Sequence, residues 1–86
     1  MDVKEIYSCD GIFKGSKYLL YIMEDGTLEL KWCYENHIID KLNPQIEDCG
    51  YGTRLYYGKA NSSGLRASIP FKDSKGILFK DWEKIM

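Results

Sequence analysis

The feature that most constrains this chain is a pair of apolar runs joined by Glu24-Asp25-Gly26. The first run is Tyr18-Leu-Leu-Tyr-Ile-Met23 and the second is Thr27-Leu-Glu-Leu-Lys-Trp-Cys-Tyr34. Asp-Gly between apolar runs is a hairpin signal, because both residues tolerate the positive φ that tight turns demand. The second run alternates, so Leu28, Leu30, Trp32 and Tyr34 are expected on one face and Thr27, Glu29, Lys31 and Cys33 on the other. The first run is apolar on both faces: Tyr18, Leu20 and Ile22 against Leu19, Tyr21 and Met23. A strand of that kind needs cover on both sides, from more of the chain, a second copy or a ligand.

Composition supports this β reading. Aromatic residues make up 14% of the 86 residues and seven of them are Tyr, which suits pleated, half-buried surfaces. The length fits a single domain, residues 1–86, of modest stability, for which oligomerisation is a natural support. Cys9, Cys33 and Cys49 are odd in number and widely spaced, a pattern expected of free thiols in a reducing cytoplasm. No stretch has signal-peptide or membrane-span character. The net charge of −1 argues against general nucleic-acid binding. The charge is uneven: residues 1–53 carry five Lys and ten acids, whereas residues 54–86 carry seven Lys or Arg and three acids.

Taken in order, Met1 to Cys9 suits either one helical turn or an edge strand. Asp10-Gly11 and Lys14-Gly15-Ser16 are turn signals around Ile12-Phe13. Glu35-Asn36-His37 is expected to break the strand that ends at Tyr34. Ile38 to Leu42 extends the sheet or forms a helical turn, and Asn43-Pro44 ends it, because a residue before proline avoids helix. Gln45 to Gly52 reads as an acidic loop. A second hairpin follows, with Thr53–Lys59 and Leu65–Phe71 as strands and Ala60–Gly64 as the turn. That register pairs Lys59 with Leu65, Tyr57 with Ala67 and Leu55 with Ile69. It gathers Leu55, Tyr57, Leu65, Ala67, Ile69 and Phe71 on a core face. Ile77-Leu78-Phe79 is a short strand, and Trp82 with Ile85 suits a closing helical turn or a last strand. The expected fold is a mainly β domain, a small antiparallel sheet or barrel-like arrangement of about five or six strands, with helix limited to short turns.

No catalytic motif is present. His37 and Cys33 lack the ligand spacings of a zinc site, so no metal and no cofactor is expected. Gly58-Lys59 does not complete a phosphate loop. The polar face of the second hairpin is the best site candidate. It carries Arg54, Tyr56, Gly58, Arg66 and Ser68: two arginines that can grip phosphate, a ring that can stack on a base, and a glycine that admits a flat ligand.

Two stretches carry a resemblance. Gly11-Ile-Phe13-Lys-Gly15 leading into Tyr18–Ile22 is one, and Pro70-Phe71 followed by Ile77-Leu-Phe-Lys-Asp81-Trp82-Glu-Lys-Ile85 is the other. Together they resemble segments of the phage Thoeris anti-defence sponge family, small non-enzymatic oligomers that trap cyclic ADP-ribose-type signals. The resemblance implies a homo-oligomer that sequesters a nucleotide-derived molecule, with Phe13, Phe71, Asp81 and Trp82 joining Arg54, Tyr56, Arg66 and Ser68 in the ligand site. Trp82 would serve a core equally well. Phe13 and Phe71 stand where that family has Trp, and Lys75 or Gly76 where it has an acid. The alternative reading is a protein-binding inhibitor of a host defence system, acting through an acidic, tyrosine-rich surface that includes Glu47 and Asp48.

Overall fold

The structure is a computed structural model that describes residues 2–86. The described residues form eight strands and no helix. They are β1 (Val3–Asp10), β2 (Ser16–Met23), β3 (Leu28–Tyr34), β4 (His37–Leu42), β5 (Gln45–Asp48), β6 (Gly52–Tyr57), β7 (Ala67–Asp73) and β8 (Trp82–Lys84). One sheet has the order β4-β3-β2-β1-β8 and the other β5-β6-β7, and every pairing is antiparallel. The fold is mainly β, with more and shorter strands than the sequence suggests.

The two sheets are joined at both flanks. Only Asn43-Pro44 separates β4 from β5, so one bent strand pairs with β3 along its first part and with β6 along its second. At the other flank Leu78 bridges Lys72, and the Phe79 amide donates to the Phe71 carbonyl at 3.0 Å. The chain then bends through Lys80-Asp81 into β8, which pairs with β1. The result is an up-and-down, barrel-like fold with a kinked strand at each flank. Joining neighbours in this way removes most free edges, the usual liability of a small sheet.

Local chemistry explains the turns. Met23 and Thr27 close a three-residue loop in which Gly26 has φ 89° and the Asp25 carboxylate accepts from the Thr27 amide at 2.9 Å. Glu35-Asn36-His37 does not end the sheet. Glu35 and Asn36 take φ 49° and 68°, a two-residue turn of the primed kind, and His37 pairs straight back with Tyr34. Residues 45–52 are likewise not a loop throughout, because Gln45–Asp48 is an edge strand facing Thr53–Tyr56. Gly52 has φ 128°, and a Cβ there would fall 2.1 Å from the Lys72 carbonyl oxygen, so only glycine fits. The N-terminal segment is an interior strand between β2 and β8, not a helical turn or an edge.

The second hairpin holds the expected register, with Tyr57 opposite Ala67 and Leu55 opposite Ile69. Leu65 departs from it: it lies in the 58–66 loop and is 69% exposed. Tyr34 is also exposed while Cys33 is buried. A bulge between Trp32 and Cys33 shifts the register there. On the outer face of β2, Leu19 and Tyr21 are only half-covered, and Lys31 Nζ sits 4.5 Å from the Tyr21 ring centroid.

The core joins both sheets. Leu20 and Leu30 from one and Leu55 from the other are essentially sealed. Phe71 sits edge-on between Tyr7 and Trp82, with centroids 5.1 and 5.3 Å away. Phe71 is 3% exposed and Trp82 5%. Both are packing residues: Trp82 takes the core role that the sequence leaves open for it, and Phe71, expected in a ligand site from the resemblance, is buried beside it. Each such ring contributes about 1.5–3 kcal/mol through burial.

Candidate functional site

The two kinks differ in how they are closed. At the first, Arg66 straps the bend. Its Nε donates to the Gly58 carbonyl at 3.0 Å, Nη1 to Gln45 Oε1 at 2.7 Å and Nη2 to the Asn43 carbonyl at 2.8 Å. All three nitrogens are committed to holding the chain. Arg66 is thus a structural clamp, its three hydrogen bonds all made to the chain's own oxygens.

At the second kink, β7 and β8 form no ladder. The Trp82 indole Nε1–H donates to the Pro70 carbonyl at 2.8 Å, and this closes one end of the gap. Pro70 has no N–H, so it fits only where the strand faces away from β6. Ser68 lies two residues earlier and presents its backbone to the same side. Between this free edge and the end of β1 lies a cleft of about 450 Å³. Cys9, Asp10, Gly11 and Ile12 line one wall, Ser68, Ile69 and Tyr57 another, with Tyr18, Lys80 and Asp81 completing it.

The cleft owes its shape to nearby packing. Gly11 leaves room for the Ser16 hydroxyl, since a Cβ there would meet Ser16 Oγ at 2.2 Å and push it aside. Ser16 is buried, and its hydroxyl donates to the Phe13 carbonyl at 2.6 Å, which fixes the loop above the cleft. Tyr18 and Tyr57 approach from opposite sheets with ring centroids 5.3 Å apart. Burial first, and hydrogen bonding with Tyr57 second, push the Tyr18 hydroxyl up to about 12. The Cys9 thiol is pushed up to about 11 by burial, then by the charges of Asp81 and Asp10. It is a protonated, inert thiol at neutral pH, and it donates weakly to the Asp10 carbonyl at 3.5 Å. Asp10 and Asp81 form no ion pair among the described residues, where the salt bridge is Lys84–Glu5 at 3.3 Å. The cleft therefore carries two carboxylates against the one ammonium of Lys80.

Of the residues singled out in the sequence, Ser68 and Asp81 meet in this cleft. Arg54 stands behind Ser68, its Nε donating to Ser68 Oγ at 2.9 Å. Tyr56 belongs to a separate shallow depression of about 210 Å³, with Gln45, Glu47, Gly64, Leu65 and Arg66. Phe13 is 63% exposed and lies 6.5 Å from the Trp32 ring, outside the cleft. Phe71 and Trp82 are in the core. Sequence reasoning missed Cys9, Asp10, Tyr18, Tyr57 and Lys80 as cleft residues. Alternation marks Tyr18 and Tyr57 as inward-facing, and no local signal says that they line a cleft. No group of residues that could hold a metal ion occurs among the described residues, and no helix there is long and apolar enough to cross a membrane. No family model, curated protein or solved structure matches this chain.

Proposed function

We propose that this chain is a small non-enzymatic binding protein that engages another protein through the acidic, tyrosine-lined cleft at its second kink. The observation that supports this is the composition of the cleft: Asp10 and Asp81 line it with Lys80 against them, and the half-buried Tyr57 ring supplies rigid contact area. Inhibition of a host defence component is the biological role that a protein-binding reading of this surface carries, whereas the resemblance to the Thoeris anti-defence sponges bears on the second reading below. Exposed apolar residues such as Ile38 (56%) and Ile39 (53%) on β4 support a homo-oligomer. The free thiols of Cys9, Cys33 and Cys49 support a reducing, cytoplasmic setting.

A second reading, sequestration of a nucleotide-derived signal, is favoured by one observation. Among the described residues Arg54 is engaged through Nε, which leaves its terminal amino groups for a phosphate, with Tyr56 on the same face. Two experiments separate the readings. On the first, the protein captures a partner from bacterial lysate in a salt-sensitive way, and the Asp10→Asn/Asp81→Asn variant loses it. On the second, native mass spectrometry with cyclic ADP-ribose isomers and cyclic dinucleotides shows a stoichiometric adduct that Arg54→Ala abolishes. Capture unaffected by the double variant contradicts the first reading.

A further inference from the structure

We infer that the cleft is a strand-docking groove: an extended, basic segment of a partner protein adds to the free edge of β7 at Ala67–Ile69 and places an Arg or Lys side chain between Asp10 and Asp81. This deepens the protein-binding reading and rests on it. Three observations converge. First, β7 is paired with β6 on one side only through this stretch, while Leu78 and Trp82 engage its far end. The Ser68 N–H and C=O are left facing the gap, and an unpaired edge is a template for a further strand. Second, the gap has room: about 450 Å³ lies between that edge and Cys9–Ile12. Third, the charge of the lining favours a cation, because two carboxylates without ion-pair partners among the described residues line the opening with one lysine, while the Arg54 guanidinium is held outside the lining on the Ser68 hydroxyl. Ile12, 87% exposed at the rim, and Ile69 in the wall would meet the apolar side chains that alternate with the basic ones.

The arrangement also says what the groove rejects. An acidic peptide would place like charges together. A peptide without backbone N–H groups on the docking side could not pair with Ser68. A lone small cation would gain the carboxylates but not the edge. The geometry thus demands backbone and charge from one ligand.

The test is fluorescence anisotropy at low salt with the intact protein and a labelled acetyl-Val-Arg-Val-Arg-Val-amide peptide. Saturable binding is expected. It should weaken by at least about tenfold on alternate-residue N-methylation of the peptide, and by a similar factor in Asp10→Asn/Asp81→Asn. Lys80→Ala should tighten it. Both aspartates are exposed, so the double variant should keep the circular dichroism spectrum of the parent. No saturable binding overturns the inference. So does equal binding of the N-methylated peptide, of a Glu-for-Arg peptide, or of argininamide alone. If these peptides fail while partner capture remains sensitive to Asp10 and Asp81, the strand geometry is wrong and the protein-binding reading stands. If capture is insensitive as well, both fall.

Discussion

The two kinks of this barrel pose the same problem and solve it differently. Each bends a strand from one sheet into the other, and each bend opens a gap. At Asn43-Pro44 a single arginine closes the gap with three hydrogen bonds. At Lys80-Asp81 a single tryptophan closes one end, by packing on Phe71 and by one indole bond to Pro70, and leaves the other end open. A polar strap can span a gap between backbone groups because it satisfies them. A packed ring closes only what it covers. The difference makes one junction scaffold and the other a candidate site.

The comparison can be broken most severely at Trp82. Trp82→Ala removes a buried ring from the core and the indole bond together. A loss of about 4 kcal/mol is expected in urea denaturation, within the range for large buried aromatics. A loss under about 1 kcal/mol would mean that the second kink is held by something else. Arg66→Ala tests the other junction. It deprives the Gly58 and Asn43 carbonyls of their donor, and about 1–3 kcal/mol should go. Arg66→Lys should recover little of it, because one ammonium cannot reproduce the three-pronged geometry.

The smallest effect is expected with pH. Cys9 and Tyr18 line the open junction, and both are raised in the folded state, to about 11 and about 12, mainly by burial. The unfolded chain releases these protons first, so between its own thiol and phenol range and those values it binds fewer protons than the native state. Stability should therefore be flat through neutral pH and fall above about pH 9. Glu5 acts in the opposite direction at acid pH. The Tyr7 hydroxyl hydrogen bond, with Lys84 assisting, holds its carboxyl below the usual range against the opposing effect of burial. Its contribution is present above that range and fades as pH falls through the lowered value. Thermal melts across pH 3–11 check both limbs; a melting temperature that is level above pH 9 would contradict the burial of the Cys9 and Tyr18 groups.

What could be read from the sequence was whatever is settled locally. Asp25-Gly26 encodes its own turn. The alternation from Thr53 to Phe71 fixes Leu55 opposite Ile69, because a one-residue slip would turn the core face outward. Glu35-Asn36 was harder: it turns without glycine, relying on φ angles that Asn adopts more readily than Glu. β5 looks like a loop because only Ile46 among its four residues is even half-buried. An edge strand with so little core side carries no alternation. β1 is ambiguous for a different reason. Its cover comes from β8, and the pair Cys9–Trp82 joins opposite ends of the chain. The cleft depends on that closure, so Asp10 and Asp81 come together with no hint in either segment. Alternation in the second hairpin puts Tyr56 opposite Ser68, but Arg66 lies in the connecting loop, where its hydrogen bonds hold the first kink.

The central claim is that the β7 edge is open at Ser68 while the strand beside it is fully paired. Native-state hydrogen exchange of the backbone amides tests it directly. The account expects Ser68 to exchange as an unpaired amide, while Leu55 and Ile69, opposite one another in the ladder, are protected close to the global stability. It also expects Ser68 to become protected when the basic peptide is added. Protection of Ser68 equal to that of Ile69 in the free protein would mean that the second junction is sealed like the first, and the site assigned to it would not exist.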